Sequence, residues 1–405
     1  MRLPVRPISF RFSSVQPLIR SSPSTSTKPL LVLGIESSAD DSSASIVSSN
    51  RQILSLVTIS QHSENSLYGG IHPLVAQSSH NKNIPLAIER CLRQSGKSIS
   101  DIDAIAYTRG PGMRGCLTVG EMAAKGLAAG LGKRLVGVHH MQAHALTPLL
   151  TEPNPPKFPF LILLVSGGHT QLVLAESQDK FRILLDTLDS KIGDVFEKAA
   201  RLIQLPTSPT KSPGAILESY ASSPFLPPYD QTPLPPLPIP LSTNDTRDKA
   251  AFSFAGILSS LQRRIPSDTV LSESDKKEYS RVFQVAAVRH LVFKLKQTIV
   301  GLSHGGIGGL GGLVISGGVA SNLYLRQRLQ EMLYEIQGER EDKTMMELYY
   351  PPISLCTDNA AMIAWTAILR IQNEKGFVSD PYDLPVRPKW SLEDLYDDVE
   401  SKSKM

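Results

Sequence analysis

The feature that most constrains the fold is a pattern that occurs three times: a short apolar run that ends in a turn of small residues. The three copies are Gly34-Ile-Glu-Ser-Ser38, Leu164-Val-Ser-Gly-Gly-His-Thr170 and Val314-Ile-Ser-Gly-Gly-Val319. Short apolar runs are typical of buried strands, and glycine lets backbone N–H groups approach an anion with no side chain in the way. One such turn is usually only a turn, but three that face one cleft would hold the phosphate and ribose of a nucleotide.

Apolar spacing predicts strands and helices that alternate along the chain. Strands are predicted at 30–35, 102–107, 136–139, 160–165, 170–175 and 313–315. Helices are predicted near 83–95, 117–131, 140–150, 193–204, 252–264, 278–302 and 358–372. Because strands and helices intermix in both halves of the chain, the predicted fold class is α/β.

Chain length and proline content predict how the chain divides. At 405 residues the chain is long enough for two or three domains of roughly 100–200 residues each. Four prolines between residues 153 and 159 mark a linker, so one unit would span 30–150 and a second 151–354. Residues 206–240 hold 11 of the 30 prolines and are predicted to form an irregular insertion rather than packed core. Residues 386–405 are predicted to form a polar tail.

The first 29 residues differ in composition from the rest. They carry five basic residues, seven serines and no acid, and the first acidic residue is Glu36. This composition is typical of a mitochondrial or plastid transit peptide, and the alternative is a disordered tail without a role. Without this leader, Lys and Arg fall by five from 42 to 37 against 38 acids, so the net charge is close to −1. Any binding of nucleic acid would therefore depend on a local basic patch.

The remaining composition excludes several classes of protein. The apolar fraction of 41% and the charged fraction of 20% are ordinary for a globular protein. No apolar run reaches the roughly 18 residues that a membrane-spanning helix needs. The three cysteines, Cys91, Cys116 and Cys356, have no close spacing, which argues against a disulfide framework and against a cysteine zinc site.

A pair of histidines has the spacing of a metal site. His140 and His144 stand at positions i and i+4 of a predicted helix, where two imidazoles share a face and can chelate one cation. The alternative is two ordinary histidines on a helix surface. A metalloprotease would need a glutamate directly after the first histidine, and that position is Met141. Asp358, at the start of a predicted helix, is the best candidate for a third ligand, although an aspartate there is also a common N-cap.

Taken together, eight motifs resemble those of one family. They lie in this order between residues 31 and 372: LGIESSADDSSASIV, RGPGMRGCLTVG, GVHHMQAH, LLVSGGHTQLVL, LDSKIGDVFEKAARLI, FSFAGI, ISGGVASNLYLR and PPISLCTDNAAMIAW. The set resembles the universal tRNA threonylcarbamoyladenosine transferase family, once described as O-sialoglycoprotein endopeptidases. The segment GGIHPLVAQSSHNKNI is more similar to the mitochondrial branch than to the bacterial one, which agrees with the predicted leader and implies the mitochondrial matrix.

The resemblance implies a fold and a set of functional residues. The fold would be a two-lobed, actin-like ATPase (ASKHA) fold with a nucleotide cleft between the lobes, the first lobe being completed by the C-terminal helix near 355–385. His140, His144 and Asp358 match the ligands of one divalent metal ion, zinc or iron. The residues that match the adenylate-binding positions are Ser166, Gly167, Gly168, His169, Thr170, Glu197, Gly214 and Asn322. Without the resemblance, Glu197 would be taken for a solvated helix residue and Asn322 for an N-cap.

The resemblance also implies a reaction. The chain would transfer the threonylcarbamoyl group of threonylcarbamoyl-AMP to the exocyclic amine of the adenosine 3′ of the anticodon in tRNA, acting as a homodimer. No covalent nucleophile is implied. A metal-dependent endopeptidase and an ATPase or kinase of the same fold remain as alternatives. The family pattern is not complete, since its usual Cys-Asp-Glu after the first turn reads Ala39-Asp40-Asp41 and its Pro-Gly-Gly reads Ser212-Pro213-Gly214.

Overall fold

The computed structural model describes most of the chain after the leader. The described residues are 28–61, 64, 68, 71–208, 211–222, 234–266, 269–304, 309–338, 346–373 and 379–400. The predicted transit peptide lies almost entirely outside these residues, so the structure does not test it. Within the described part, no helix has the length and apolar character that a membrane span requires.

Among the described residues, the first sheet has five strands in the order β3-β2-β1-β4-β5. The strands are β1 Leu31–Glu36, β2 Asp41–Ser48, β3 Gln52–Ser60, β4 Ala104–Gly110 and β5 Arg134–His139. β1, β2 and β3 form an antiparallel meander, whereas β4 and β5 run parallel to β1. Every residue of β1 and β4 is buried, as expected for parallel strands that are covered on both faces.

The second sheet repeats this topology with one additional strand. Its order is β11-β10-β6-β7-β8-β9. The strands are β6 Phe160–Val165, β7 Thr170–Ala175, β8 Phe181–Thr187, β9 Ala251–Phe252, β10 Leu313–Ser316 and β11 Leu348–Tyr349. β6, β7 and β8 form an antiparallel meander, and β10 and β11 run parallel to β6. The predicted α/β class is confirmed, and two sheets of one topology agree with a two-lobed, actin-like fold. The lobe boundaries at residues 150 and 354 stay predictions.

The helices cover both sheets and connect them. They are α1 Pro73–Ser95, α2 Arg114–Leu131, α3 His140–Thr151, α4 Ile192–Leu202, α5 Pro213–Ala221, α6 Ala255–Arg264, α7 Glu273–His304, α8 Leu323–Gly338, α9 Ile353–Cys356, α10 Ala360–Asn373 and α11 Asp397–Glu400. Their ends follow ordinary local rules. α1 starts with a proline in its first turn and ends at Gly96, and α2 ends at Gly132, both glycines with left-handed backbone.

Two helices, α3 and α10, form the contact between the sheets. Met141, Ala145 and Leu146 of α3 pack in a cluster with the second sheet, whereas other residues of α3 pack with α10 and the first sheet. α10 is buried from Ala360 to Ile368. It lies so close to β1 that a Cβ on Gly34 would come within 2.3 Å of the Ala360 carbonyl oxygen, so only glycine fits there. The first turns of both helices therefore lie at the junction of the two sheets.

Apolar spacing did not predict the strands β2, β3, β8, β9 and β11, and β2 shows why. β2 contains four serines and yet is almost wholly buried. Hydrogen bonds to β3 satisfy two of these hydroxyls: Ser43 donates to the Val57 carbonyl at 3.1 Å and Ser45 donates to the Ser55 carbonyl at 2.7 Å. A serine-rich strand can be buried when its partner strand offers acceptors, and a single sequence does not reveal that partner. The strands and helices that apolar spacing did predict are present with shifted ends. For example, α1 begins at Pro73 rather than near residue 83.

The prediction that residues 206–240 form only an irregular insertion is wrong for α5. This helix is capped by Ser212, whose hydroxyl accepts from the N–H of Ala215, and it buries Ile216 and Leu217. Residues 209–210 and 223–233 lie outside the described part. Beyond them, carbonyl groups of the proline-rich segment accept from the half-buried Arg264, which donates to the Pro235 carbonyl and, at 2.8 Å, to the Pro236 carbonyl. This arrangement follows from chemistry, because proline supplies acceptors but no N–H donor.

The prediction that residues 386–405 form a polar tail is also wrong for most of the segment. Val386, Trp390, Leu392 and Leu395 are buried, so the acidic residues between them hid an apolar pattern. We call residues 379–398 the C-terminal strap. Its first anchor is an ion pair in which Arg370 of α10 donates two hydrogen bonds, of 2.8 and 2.9 Å, to the buried Asp380 carboxylate. Residues 401–405 lie outside the described part.

Candidate functional site

The three predicted metal ligands lie together where the first turns of α3 and α10 meet. Nε2 of His140 is 3.3 Å from Oδ1 of Asp358, and Nε2 of His144 is 3.2 Å from the same oxygen. One ligand atom from each residue lies within 4.8 Å of the other two. Two imidazole nitrogens and a carboxylate oxygen are a common ligand set for zinc and iron, and three protein ligands leave a position open for substrate. These residues can therefore hold a divalent metal ion.

The structure separates the alternatives that the spacing had left open. Both histidines are buried, at 5% and 4% exposure, so they are not ordinary histidines of a helix surface. The cap of α10 is Asn359, whose side-chain oxygen accepts from the N–H of Met362 at 3.1 Å. The carboxylate of Asp358 is therefore not needed as an N-cap and points toward the histidines.

Glu36 is a supporting residue that the sequence motifs did not reveal. Its carboxylate lies 3.0 Å from Nδ1 of His140, on the side of the ring that faces away from Asp358. Thr108 and the N–H of Ser38 each donate to this carboxylate at 2.5 Å. A carboxylate on the second nitrogen of a ligating histidine orients the ring and raises its basicity. The available signal was an acidic residue at the end of a wholly apolar, buried strand.

The electrostatics of this cluster favour a cation. Burial lowers the pKa of His140, but the Asp358 and Glu36 carboxylates outweigh it and raise this pKa to about 10. Burial raises the pKa of Asp358, but His140 and His144 hold it well below its usual range. Burial lowers the pKa of His144. Two carboxylates that face one buried site need a positive charge there, and either a bound metal ion or a proton on His140 supplies it.

The acidic character extends to the turn between β1 and β2. Burial, and after it the neighbouring Asp40 carboxylate, raises the pKa of Asp41 to about 7. One carboxylate oxygen of Asp41 is buried and has no hydrogen-bond partner among the described residues. The end of the first sheet therefore combines histidines with at least four carboxylates.

The second glycine turn is built differently, because it carries no acid. The Ser166 hydroxyl accepts from the N–H groups of Gly168 at 3.2 Å and His169 at 3.0 Å, which folds the backbone into a tight loop. Gly167 and Gly168 are exposed. The buried Thr170 hydroxyl accepts from the N–H of Ile192 at 2.8 Å and so ties the turn to the start of α4. Exposed glycine backbone beside a helix N-terminus is an arrangement that favours anions.

The third turn and the start of α4 lie against the second turn. β10 pairs in register with β6, so that Ser316 stands opposite Leu164, and both strands end in their glycine turns at the same edge. The N–H of Gly193 donates to the Ser166 carbonyl at 3.2 Å. A Cβ on Gly193 would lie 2.6 Å from the Gly167 nitrogen, so a residue with a side chain would push the second turn out of place.

His169 links the second turn to the metal ligands. It is half-buried, and burial followed by the positive charge of His140 and His144 lowers the pKa of His169 to about 4. Met141 and Ala145 of α3, the helix that carries both histidine ligands, belong to the same buried cluster as Leu164, which precedes this turn by two residues, so the turn at 166–170 lies beside the metal ligands. The structure thus brings together two of the groups that the sequence analysis nominated separately.

The remaining predicted residues lie on three adjacent helices of the second half. Glu197 is half-buried on α4. Gly214 is in the first turn of α5, where a Cβ would lie 3.6 Å from the Cβ of Phe196. Glu218 of α5 accepts from the N–H of Leu323 at 2.6 Å, which joins α5 to the start of α8 next to Asn322. Glu197, Gly214 and Asn322 therefore lie around one region of the second half, although their contact with a nucleotide stays a prediction.

Asn322 already has structural hydrogen bonds at both ends of its amide. Its oxygen accepts from the N–H of Leu325 at 2.8 Å and caps α8, and its nitrogen donates to the Gln284 side chain at 2.9 Å. The side chain is 4% exposed. The N-cap interpretation of Asn322 is therefore correct, and a further contact with substrate would add to it rather than replace it.

Comparisons with known proteins point to one family. A family model described as TsaD, tRNA N6-adenosine threonylcarbamoyltransferase, matches residues 52–365. The mitochondrial tRNA N6-adenosine threonylcarbamoyltransferase of Schizosaccharomyces pombe is 40% identical over 380 residues, covering 91% of this chain and 88% of that protein. The tRNA N6-adenosine threonylcarbamoyltransferase of Ralstonia pickettii is 36% identical over 370 residues, covering 90% and 99%.

Among solved structures, component A of (R)-2-hydroxyglutaryl-CoA dehydratase from Acidaminococcus fermentans aligns with a TM-score of 0.46 at 14% identity. It covers 85% of this chain and 100% of that chain, and a likeness of this size adds nothing to the sheet topology described above. The family match and the two relatives each cover most of the chain. This chain belongs to the tRNA N6-adenosine threonylcarbamoyltransferase family.

Proposed function

We propose that this chain transfers the threonylcarbamoyl group of threonylcarbamoyl-AMP to the exocyclic amine of the adenosine 3′ of the anticodon in mitochondrial tRNAs. The observation that carries this proposal is the position of the metal ligands beside the glycine turn at 166–170. An enzyme that acts on a mixed anhydride of this kind needs a Lewis acid at the acyl carbonyl oxygen and an anion-binding site at the phosphate. A metal ion on the three ligands would supply the first, and the glycine turn would supply the second.

The proposed cofactor is one divalent ion, zinc or iron, held by His140, His144 and Asp358. When bound, such an ion acts as a Lewis acid at the acyl carbonyl and orients the acyl group. Glu36 keeps the Nδ1 side of His140 occupied, so that Nε2 of the ring faces the site. The ligand atoms of both histidines thus point toward the same space as the Asp358 carboxylate.

The proposed adenylate site is the second half of the molecule. The backbone of Gly167 and Gly168, with the N-terminus of α4, would receive the phosphate and stabilise the charge on departing AMP. Glu197, Gly214 and Asn322 would hold the nucleoside. The exocyclic amine of adenosine is a weak nucleophile, and we nominate no covalent nucleophile in the chain, so positioning of the two reactants would supply much of the rate.

The proposed acceptor is a single-stranded adenosine of the tRNA anticodon loop, where a base leaves its stack at low cost. We further propose a homodimer in the mitochondrial matrix, directed there by residues 1–29. The mitochondrial relative and the acid-free leader support this location. A fluorescent protein fused to residues 1–35 should enter mitochondria, and diffuse cytosolic fluorescence would contradict this part of the proposal.

The alternatives explain less. An endopeptidase would need a general base after the first histidine, but Met141 at that position is buried against the second sheet. An ATPase or kinase would use the glycine turns but would not need two histidines and an aspartate within 4.8 Å of one another.

The test is a transfer assay with purified protein. An unmodified tRNA transcript with an adenosine 3′ of the anticodon is incubated with threonylcarbamoyl-AMP, digested to nucleosides and analysed by mass spectrometry. We expect N6-threonylcarbamoyladenosine only when enzyme and donor are both present. Parallel reactions with ATP alone and with casein test the alternatives. Hydrolysis of either one, without transfer to tRNA, would contradict the proposal.

A further inference from the structure

We propose that the C-terminal strap positions the metal-binding helix α3, and that His139 is the positioning residue through which it acts. This inference rests on the metal site proposed above. His139 directly precedes His140, and neither the motif match nor the metal spacing assigns it a role.

His139 caps α3 with one ring nitrogen and binds the strap with the other. Its Nδ1 lies 3.1 Å from the N–H nitrogen of Met141 and 3.3 Å from that of Gln142. Since both groups are donors, Nδ1 must be the acceptor and Nε2 must carry the proton. Nε2 lies 3.2 Å from the Trp390 carbonyl oxygen, which can only accept. The strap therefore fixes the tautomer and the orientation of the ring that caps α3.

The strap is attached to the first sheet at the end of β4. Arg109 donates to the Asp398 carboxylate, and the Arg109 carbonyl accepts from the N–H of Arg387 at 2.8 Å. The guanidinium groups of Arg109 and Arg387 both lie over the Trp390 ring, at 5.1 Å and 4.8 Å from its centroid. The same ring lies 4.6 Å from the His139 ring. The Trp390 carbonyl, which accepts the hydrogen bond from His139, is thus held in place by the packing of the Trp390 ring.

The strap continues from there to the second sheet. Leu392 and Leu395 are buried in the cluster that contains Met141 and the β6 side chains. The Glu393 carboxylate accepts from the N–H of Ile183 in β8 at 2.8 Å. The strap therefore connects both sheets. Between Arg387, which bonds to the first sheet, and Glu393, which bonds to the second, Trp390 contacts the N-terminus of α3.

Loss of the cap should disturb His140 most. His140 is the first residue of α3, and the N–H groups of Met141 and Gln142 belong to buried residues, so without His139 these groups would lose their acceptor. The first turn would move to find other partners, whereas Asp358 is held on a different helix. Removal of groups that support metal ligands typically weakens metal binding roughly 10- to 100-fold.

The experiment measures cobalt(II) binding to metal-free full-length protein by chelator competition and by the visible spectrum of the bound ion. His139→Ala and Trp390→Ala should each weaken binding about tenfold and change the spectrum, since the ligand geometry changes. His139→Asn should recover most of the affinity, because asparagine is a strong N-cap residue. Tyr382→Ala is the control, as Tyr382 is in the strap and 49% exposed. If Trp390→Ala does not fold, Asp398→Asn replaces it.

The double variant His139→Ala with Trp390→Ala separates a shared effect from two independent ones. If the strap acts through His139, the double variant should bind cobalt no more weakly than His139→Ala alone, within about twofold. Wild-type affinity in both single variants, or multiplying losses in the double variant, would overturn the inference. A wild-type protein that does not bind cobalt through His140 and His144 would instead contradict the metal site itself, so the two failures are distinguishable.

Discussion

The two sheets have the same topology, but the turns at their corresponding edges differ in charge. In the first sheet, β1 ends in Glu36 and is followed by Asp40 and Asp41, and this edge receives His140 and Asp358. In the second sheet, the equivalent strand β6 ends in a serine–glycine turn that carries no acid, and α4 begins against it. One edge thus offers carboxylates and imidazoles, whereas the other offers exposed glycine backbone without an acid.

This difference indicates a division of work between two halves of one architecture. Carboxylates that share a buried site need a cation, and exposed glycine backbone at a helix N-terminus favours an anion. An adenylate with a polar acyl group has both requirements, with its phosphate at one end and its carbonyl at the other. The comparison therefore predicts variants that lose one ligand and keep the other.

The largest effect is expected at the first sheet. The double variant His140→Ala, His144→Ala removes two of three protein ligands and should lose its metal and at least about 100-fold of transfer activity. Elemental analysis of the purified protein measures metal content directly. The control is His72→Ala, because His72 is exposed and far along the chain from the ligands. Full metal content in the double variant would show that the ligands have been assigned wrongly.

The next effect is expected at the second sheet. Gly193→Ala would place a Cβ within 2.7 Å of the Ser166 carbonyl oxygen and of the Gly167 nitrogen. Overpacking of this kind typically costs about 1–3 kcal/mol, so displacement of the turn should weaken AMP binding about tenfold, while metal content stays unchanged. Gly256→Ala is the matched control, because its Cβ would meet nothing within 4 Å. Equal AMP affinity in both variants would mean that the turn does not bind the nucleotide.

A smaller effect is expected at the proposed nucleoside contacts. Glu197→Ala and Asn322→Ala should each weaken a non-hydrolysable threonylcarbamoyl-adenylate analogue roughly 2- to 13-fold, which corresponds to loss of about 0.5–1.5 kcal/mol. Asn322→Ala should also lower the free energy of unfolding by about 1–2 kcal/mol, because it removes the cap of α8. Calorimetric titration measures affinity, with Lys198→Ala as an exposed neighbour control. Unchanged affinity for the analogue in both variants would show that Glu197 and Asn322 do not contact the nucleotide.

The smallest effect is a pH dependence at the acidic edge. The pKa of Asp41 is raised to about 7 in the folded protein, above its ordinary value of 3.8. A carboxyl group whose pKa is raised by folding contributes its full stability at pH values below its pKa in the unfolded state. This contribution is lost as the pH rises through the folded-state pKa of about 7. In the presence of chelator, Asp41→Asn should therefore be more stable than the wild type at pH 8, by on the order of 1 kcal/mol, and not at pH 4. Urea unfolding at both pH values tests this, with Asp186→Asn as a control on β8. The same difference at both pH values would contradict it.

The parts of this site that could be predicted from sequence are those with short-range signals. The spacing of His140 and His144 and the three strand–turn repeats occur within a few residues, so a single chain reveals them. Glu36 was not assigned a role because its partner His140 is 104 residues away, and the link from His139 to the strap was missed because Trp390 is 251 residues away. The strap was missed for a related reason: its apolar residues are separated by charged ones whose partners, such as Arg370 and Arg109, belong to other elements.

The most direct test of the division between the two sheets is AMP binding, because AMP has the phosphate and nucleoside but no acyl group. We would titrate AMP into the wild type, the His140→Ala, His144→Ala variant and Gly193→Ala by calorimetry, and measure metal content in the same samples. The account predicts that the metal-site variant loses its metal and binds AMP within about twofold of the wild type. It predicts that Gly193→Ala keeps its metal and loses about tenfold in AMP affinity. Equal losses of AMP affinity in both variants would contradict the account.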